Sequence, residues 1–306
     1  MGPYKWTMPE MVVGEQAMDA LAGALERVTR LVPYLSAQIN PDLPGDRAPA
    51  PGSDRPVPAD REWMTSQSLI DDPRWLGAVI RSTGPGMATD DPVVAASVFV
   101  QGYSYRVLTL AVACLTASGV VPDTSAAGMA IGLNGSWPSL VAFLDPTVLV
   151  LDPWSETDGA ASLRHDPEGL AVSLRFILDR AIDQHLRALV ESVRTGLGVP
   201  IGERLLWGNV ASSAATAFRT MEGCLGPWVE SLGERFFALA PPDLQGLGSF
   251  WVIDDGGRHG WFWERTSCCL IDRLPGAVRC ADCSRTPTAQ RRQAYRDSLG
   301  GRRTDG

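Results

Sequence analysis

Lysine and histidine are scarce in this sequence. Among its 306 residues Lys5 is the only lysine, and there are three histidines. The formal net charge is −8, and the sequence pI is about 5.0. An acidic chain of this kind lacks the basic surface to which nucleic acids and anionic membranes are attracted, so we expect neither class of partner.

Long hydrophobic runs are also lacking. The N-terminal "MGPYKWTMPEMVVGEQ" has no basic segment followed by an apolar one and does not predict a signal peptide. The longest nearly apolar stretch, 107–121, has 15 residues that include two threonines and one serine. It is short for a bilayer span and favours a buried core helix. The sequence therefore predicts a soluble, cytoplasmic protein without a membrane span.

Nucleotide-binding and hydrolase motifs are absent. No G-x-G-x-x-G follows a predicted strand, and the chain has neither a Walker loop nor a G-x-S-x-G elbow. The two glycines of "STGPGMATD" (82–90) lack the required spacing and the preceding strand. We therefore expect no nucleotide site in this chain.

Helical periodicity of apolar residues dominates what is present. Asp91-Pro92 and Asp166-Pro167 each place a capping carboxylate before a proline at the first helical position, which is a typical helix start. A last short polar helix is predicted after Thr286-Pro287. The longer predicted helices cover 14–39 (with a kink at Pro33), 91–118, 166–196, 203–222 and 227–239.

Two regions have strand character. Short apolar runs separated by turn residues over 128–152 predict a small antiparallel sheet. "SFWVI" and "GWFWERT", on either side of "DDGGRH", predict a hairpin whose second strand leads into Cys268. The predicted fold class is α+β, predominantly α-helical with a small central antiparallel β-sheet and a C-terminal β-hairpin. We divide the chain into an N-terminal helix with a Pro-rich linker (1–60), a helical body (61–248) and a cysteine-bearing region (249–306).

Four of the six cysteines lie within sixteen positions, as Cys268, Cys269, Cys280 and Cys283. In a reducing cytosol such a cluster favours metal ligation over disulfides, and adjacent cysteines pair with each other only under strain. A structural zinc site usually takes two short knuckles, and only Cys280-Ala-Asp-Cys283 has that form. Cys268 and Cys269 would reach one ion only if the chain bends between them.

A 2Fe–2S cluster suits this spacing better than a single ion, although zinc remains an alternative. Each of its two irons needs two thiolates, so a pair, a ten-residue loop and a second pair can reach it. The loop "LIDRLPGAVR" has Pro-Gly at its middle, which favours a chain that folds back.

The stretch "SCCLIDRLPGAVRCADC" (267–283) closely resembles the C-terminal signature of the FhuF-like ferric siderophore reductases. The resemblance is specific over 261–285 and looser upstream, in "DDPVVAASVFVQGYSYRV", "GVVPD" and "HLRALVESVRTGLGVPIGERLLWGN". It implies a 2Fe–2S cluster on Cys268, Cys269, Cys280 and Cys283. Asp272 departs from the family pattern, in which an aromatic residue is commoner. That departure bears on cluster exposure and on docking of the iron complex.

The resemblance also implies a reaction, the one-electron reduction of iron(III) in a siderophore, of hydroxamate type, to release iron(II). An external donor such as a ferredoxin or a flavoprotein reductase would supply the electron. One alternative is a non-enzymatic siderophore-binding protein with a structural zinc or cluster site. Another is siderophore assembly, against which the lack of an ATP site argues.

Other reactive residues receive weaker roles. We expect Cys114 and Cys224 to be buried apolar residues rather than ligands. The loop arginines could tune the cluster or contact the siderophore, but each by itself is more simply a solvated residue or a partner of Asp272 or Asp282. His259 alone among the histidines is a candidate for substrate contact, and the hairpin aromatics are core or a dry shell around the cluster. The loop arginines are Arg265, Arg273, Arg279 and Arg285, and the other two histidines are His165 and His185. The hairpin aromatics are Phe250, Trp251, Trp261, Phe262 and Trp263.

Overall fold

The computed structural model describes residues 9–41, 43, 63–134, 137–151, 163–164, 166–255 and 257–301. The longest helix, α4 (Pro92–Ser118), lies at the centre of the fold. It starts where Asp91 accepts hydrogen bonds from the backbone of Val93 and Val94, and it ends at Gly119 in the left-handed conformation. Among the described residues it is the one helix long and apolar enough to cross a membrane, but most of it is buried inside the protein, as expected of a core helix.

The other helices pack around α4. The most extensive contact is with α7 (Glu203–Leu225). Both helices contribute to one continuous apolar core that also takes in the first helix and two tryptophans of the C-terminal hairpin. The remaining helices are α1 (Gly14–Leu31), α2 (Ser66–Asp71), α3 (Pro73–Thr83), α5 (Pro167–Ile177), α6 (Arg187–Gly196), α8 (Trp228–Leu239) and α9 (Thr288–Gly301).

The strands form two small sheets and a hairpin rather than one central sheet. The strands are β1 (Glu10–Val12), β2 (Gln38–Ile39), β3 (Trp63–Thr65), β4 (Val120–Pro122), β5 (Met129–Asn134), β6 (Trp137–Phe143), β7 (Val148–Val150), β8 (Gly248–Asp255) and β9 (Arg258–Arg265). The three-stranded sheet has the order β1–β7–β4, and the four-stranded sheet has the order β2–β6–β5–β3 with one parallel pair, β2–β6. The hairpin β8–β9 is antiparallel throughout. The predicted α+β class with a C-terminal hairpin is confirmed.

The N-terminal helix is shorter than predicted. It ends at Leu31, and Pro33 terminates it rather than kinking it, because the residue before a proline is driven out of the helical conformation. The chain then forms β2 at Gln38. Most of the predicted Pro-rich linker lies outside the described residues, and the three predicted segment boundaries stay predictions.

The predicted helix over 166–196 contains an element that periodicity did not indicate. Between α5 and α6 the chain is π-helical over Leu178–Leu186. This segment carries His185, whose side chain is fully buried. Nδ1 of His185 lies 2.7 Å from the carbonyl oxygen of Thr124, and Nε2 lies 2.7 Å from the hydroxyl of Tyr103. Nδ1 therefore donates, and the neutral imidazole joins the π-helical segment to α4.

Burial lowers the pKa of His185 to about 4. In the unfolded chain the pKa of histidine is about 6.5, so between these values the unfolded state binds a proton that the folded state does not. We predict that the free energy of unfolding decreases as the pH falls from about 6.5 to about 4, with a His185 contribution of up to about 3 kcal/mol. Chemical denaturation of the wild type and of His185→Gln at several pH values measures this. Equal pH slopes in the two proteins would contradict the prediction.

Candidate iron–sulfur centre

Strand β9 delivers the first two cysteines, and the chain bends sharply directly after them. Leu270 has a φ of +62°, a left-handed conformation that is uncommon for leucine. Its amide donates a hydrogen bond of 3.4 Å to Sγ of Cys268. A 3₁₀ turn over Ile271–Arg273 follows. The backbone therefore supplies the bend that two adjacent cysteines need if both are to face one site.

The loop between the two cysteine pairs folds back at Pro275-Gly276. The amide of Ala277 donates to the carbonyl of Leu274 at 3.1 Å, and Gly276 has a φ of +71°. Proline followed by a left-handed glycine is typical of a type II turn. The amide of Cys283 then donates to the carbonyl of Cys280 at 3.0 Å. The predicted turn is confirmed, and it returns the second pair of cysteines to the first.

The sulfur atoms of Cys269 and Cys280 are 3.7 Å apart. Two thiolates on one tetrahedral metal, with metal–sulfur bonds of about 2.3 Å, are separated by about 3.8 Å, so this pair has the spacing of two ligands of a single metal. In the part of the chain that the structure describes, no three Cys, His, Asp or Glu side chains converge on one ion position.

The hydrogen bond with Cys280 lowers the pKa of Cys269. The same hydrogen bond and burial raise the pKa of Cys280. One thiolate is therefore already favoured in the pair, with Arg265 adding to its stabilisation.

The cysteine segment is fastened to α4 and α7. The hydroxyl of Ser97 donates to the carbonyl of Cys269 at 2.6 Å, and the amide of Asn209 donates to both the carbonyl and the hydroxyl oxygen of Ser97 at 2.8 Å. On α7, the hydroxyl of Ser212 lies 3.2 Å from a carboxylate oxygen of Asp282. Leu270 completes the attachment in a small apolar cluster with Met87, Val94 and Val98.

Arg265 lies directly behind the cysteines and is 1% exposed. Its Nε donates to the carbonyl of Ser267 at 2.7 Å, and its Nη2 donates to Oδ1 of Asn209 at 2.7 Å. Nη1 is buried without a hydrogen-bond partner among the described residues. A Cβ at Gly208 would collide with the side chain of Ser267, so the glycine lets this segment lie against α7.

A buried guanidinium without a carboxylate partner is costly, because removing its charge from water must be offset by a nearby anion. No ion pair joins Arg265 to any carboxylate within the described ranges. The groups it does approach are thiols, since Arg265 favours the thiolate of both Cys269 and Cys280. A 2Fe–2S cluster with four thiolate ligands is an anion. A buried guanidinium nitrogen without a hydrogen-bond partner, next to cysteines that would become anionic ligands, therefore fits that cofactor.

The other flanking arginines behave as the simpler interpretation predicted. Arg279 and Arg285 lie 3.6 Å and 3.0 Å from the carboxylate of Asp272, whose side chain is 8% exposed. Arg273 lies 3.9 Å from Asp91. Arg265 is the exception, because it is buried rather than solvated.

The cysteines outside the cluster are in different surroundings. Cys114 is buried in α4, as predicted, and burial raises its pKa to about 12. Cys224 is exposed near the end of α7, so the prediction that it is buried is wrong. Its sequence neighbours are partly apolar, but that turn of the helix faces solvent.

His259 lies on the hairpin and hydrogen-bonds Asp254 and Glu230. His165 lies outside the described residues. The hairpin aromatics form a packed stack, as the structural interpretation predicted: Trp261 with Phe250, Trp263 with Phe237 and Phe262 with Tyr295.

Sequence reasoning missed the residues that support the cysteines. Arg291 of α9 is buried and donates to the carbonyl oxygens of Arg265, at 3.3 Å, and Asp282, at 3.5 Å. Ser97 and Asn209 are polar residues flanked by apolar neighbours in α4 and α7. A polar residue between apolar neighbours is the signal that could have indicated a buried hydrogen bond.

Comparison with known protein families agrees with this geometry. A family described as ferric iron reductase FhuF-like transporter matches residues 97–246, and the FhuF 2Fe-2S C-terminal domain matches residues 265–285. The two matches identify an iron–sulfur protein that is related to ferric iron reductases. The chain belongs to the FhuF-like family, and its C-terminal domain is of the 2Fe–2S type.

Comparisons with individual proteins add little. No curated protein matches the sequence. Among solved structures, the aerobactin synthetase IucC from a hypervirulent pathotype of Klebsiella pneumoniae is similar, with 16% identity and a TM-score of 0.41. The match covers 59% of this chain and 32% of the synthetase, so the chain spans about a third of that protein's length. A similarity of this extent carries no argument about function.

We predict that Arg265→Gln lowers the reduction potential of the cluster. One charge at about 8 Å in a medium of effective dielectric constant about 20 is worth roughly 2 kcal/mol, which equals roughly 90 mV for one electron. Redox titration under anaerobic conditions measures the shift. Arg265→Lys keeps the charge and should restore most of the potential, while Arg258→Gln, on the exposed hairpin turn, is the matched control. Equal potentials in Arg265→Gln and the control would show that the guanidinium does not act on the cluster.

Proposed function

We propose that this protein is a cytoplasmic ferric siderophore reductase in which Cys268, Cys269, Cys280 and Cys283 hold the 2Fe–2S cluster. The family supports a siderophore-related ferric iron reductase. The observation that carries the ligand assignment is the pair of sulfurs 3.7 Å apart beside a buried, unneutralised guanidinium. We assign Cys268 and Cys283 as the other two ligands, because Cys268 is near enough to both Cys269 and Cys283 for their charges to raise its pKa.

When bound, a 2Fe–2S cluster stores and delivers one electron at a time. Reduction of iron(III) to iron(II) consumes one electron and makes no bond to the protein. Iron(III) binds anionic oxygen ligands tightly, whereas the softer iron(II) prefers nitrogen and sulfur, so the electron loosens a hydroxamate complex enough for iron to leave. We propose that a ferredoxin or a flavoprotein reductase supplies the next electron to the protein after each turnover.

The residues of this chain meet the two demands of such a reaction. The interior side of the motif is held rigidly, because Cys269 and Cys283 are buried and the cysteine segment is hydrogen-bonded to α4. Its outer side is accessible, since Cys280 is half-buried and Val278 in the loop is 86% exposed. Electron transfer weakens steeply with distance, so an accessible loop lets an iron complex or a protein donor come close.

We predict that Cys→Ser at any one of the four clustered positions loses or destabilises the cluster. A serine hydroxyl is a much poorer iron ligand than a thiolate. Visible absorption together with iron and sulfide analysis of anaerobically purified protein measures the loss. Cys114→Ser and Cys224→Ser are the controls and should keep the wild-type spectrum. If all six variants have the same spectrum, the ligand assignment is wrong.

We further predict that the reduced protein transfers its electron to ferric trihydroxamates at least about tenfold faster than to a ferric aminocarboxylate chelate, a difference of about 1.4 kcal/mol in the barrier. Stopped-flow absorption at the cluster band follows the oxidation. Equal rates would indicate a general electron carrier. Binding without electron transfer would instead favour a non-enzymatic siderophore-binding protein.

A further inference from the structure

A cavity of about 280 Å³ opens beside the cysteine loop. It lies between α4, α7 and the start of β6, and Ile271 of the loop forms one of its walls. The contributing residues of α4 recur at helical spacing as Val98, Gln101, Gly102, Tyr105 and Arg106, so one stripe of the central helix faces it.

The two helices that line the cavity also hold the cysteine segment, through the neighbouring residues. Ser97 donates to the carbonyl of Cys269, and the next residue, Val98, lines the cavity. Ser212 contacts Asp282, and the next residue, Ser213, lines the cavity. Ile271 is itself two residues after Cys269. The cavity wall therefore includes a residue of the cysteine loop itself.

The cavity has a cationic and an aromatic side. Arg106 has no carboxylate within ion-pair distance among the described residues, and its guanidinium lies 5.4 Å from the ring centre of Tyr105. Burial raises the pKa of Tyr105 to about 12, so its hydroxyl stays neutral. Oε1 of Gln101 is buried without a hydrogen-bond partner in the described part of the chain. None of the described lining residues is acidic.

Trp137 stands at the edge of the cavity and is 42% exposed. An exposed aromatic ring at the rim of a cavity that an arginine also lines is typical of a binding surface, because a ligand can cover the ring while its oxygens accept hydrogen bonds from the guanidinium. Pro138 and Gly102 continue the wall behind it: a Cβ at Gly102 would lie 3.4 Å from the ring of Pro138. The glycine lets the start of β6 lie close to α4.

We propose that this cavity is the binding site for the ferric complex, and that it takes one face of an uncharged or anionic ferric trihydroxamate. Arg106 lies by the ligand's iron-binding oxygens, Trp137 covers its organic backbone, and Ile271 is the wall between it and the cysteines. Enclosed ligand sites measure about 300–1,000 Å³, so a cavity of about 280 Å³ holds part of the complex and leaves the rest in solvent. This inference rests on the proposed function and names its substrate site.

Binding is tested without electron transfer by using redox-inert gallium(III) trihydroxamates and isothermal titration calorimetry on the cluster-loaded protein. The expected result is that Arg106→Gln and Trp137→Ala each weaken binding of an uncharged complex by about tenfold. Both variants keep the wild-type cluster spectrum. Arg175→Gln, an exposed arginine on α5, is the matched control and binds as the wild type does. A gallium complex that carries a free ammonium group binds the wild type more weakly than the uncharged one, and Arg106→Gln narrows that difference.

The outcomes separate the site from the reaction. If neither variant changes the affinity, or if the wild type shows no saturable binding, the cavity is not the site, whether or not the protein reduces ferric complexes. If the variants weaken gallium binding but the wild type does not reduce the iron(III) complex, the site stands and the reductase function falls.

Discussion

The structure depends on one positive charge buried behind a pair of adjacent cysteines. Arg265 is buried, and its described hydrogen-bond partners are a carbonyl and an amide oxygen rather than a carboxylate. Anionic thiols facing the guanidinium would offset the cost of burying it, and the proposed ligation of a 2Fe–2S cluster would keep those thiols anionic. The same charge that favours thiolates also favours an added electron. The burial of Arg265 would therefore link the packing of the C-terminal segment to the redox properties that we propose for the site.

Two polar residues of the core helices connect this charge to the cysteine motif. Oδ1 of Asn209 accepts a hydrogen bond from the guanidinium of Arg265, and Nδ2 of Asn209 donates one to the hydroxyl of Ser97. The hydroxyl of Ser97 in turn donates to the carbonyl oxygen of Cys269. The chain of hydrogen bonds runs from α7 through α4 to the motif. Because both helices are anchored in one continuous core, the cysteines are held on a rigid frame rather than on a free loop.

The proposed cavity uses the same frame. Consecutive residues on each helix, Ser97 and Val98 on α4 and Ser212 and Ser213 on α7, face the cysteine segment and the cavity in turn. Substrate and redox centre would thus be positioned by the same two helices, and their separation would vary little. A helix offers neighbouring residues to directions about 100° apart, which makes such a shared wall possible.

Much of the architecture follows from local signals. The aspartate–proline pairs at Asp91 and Asp166 started helices where predicted, and the Pro275-Gly276 turn formed as expected, because caps and turns depend on a few neighbouring residues. The cysteine spacing in the sequence favoured a 2Fe–2S cluster over a single zinc ion, and the family match supports that cofactor. Only the tertiary structure decided that Arg265 is buried, that Cys224 is exposed, that Cys269 meets Cys280, and that a cavity opens beside them. These outcomes depend on contacts between residues far apart in the chain, which no local pattern encodes.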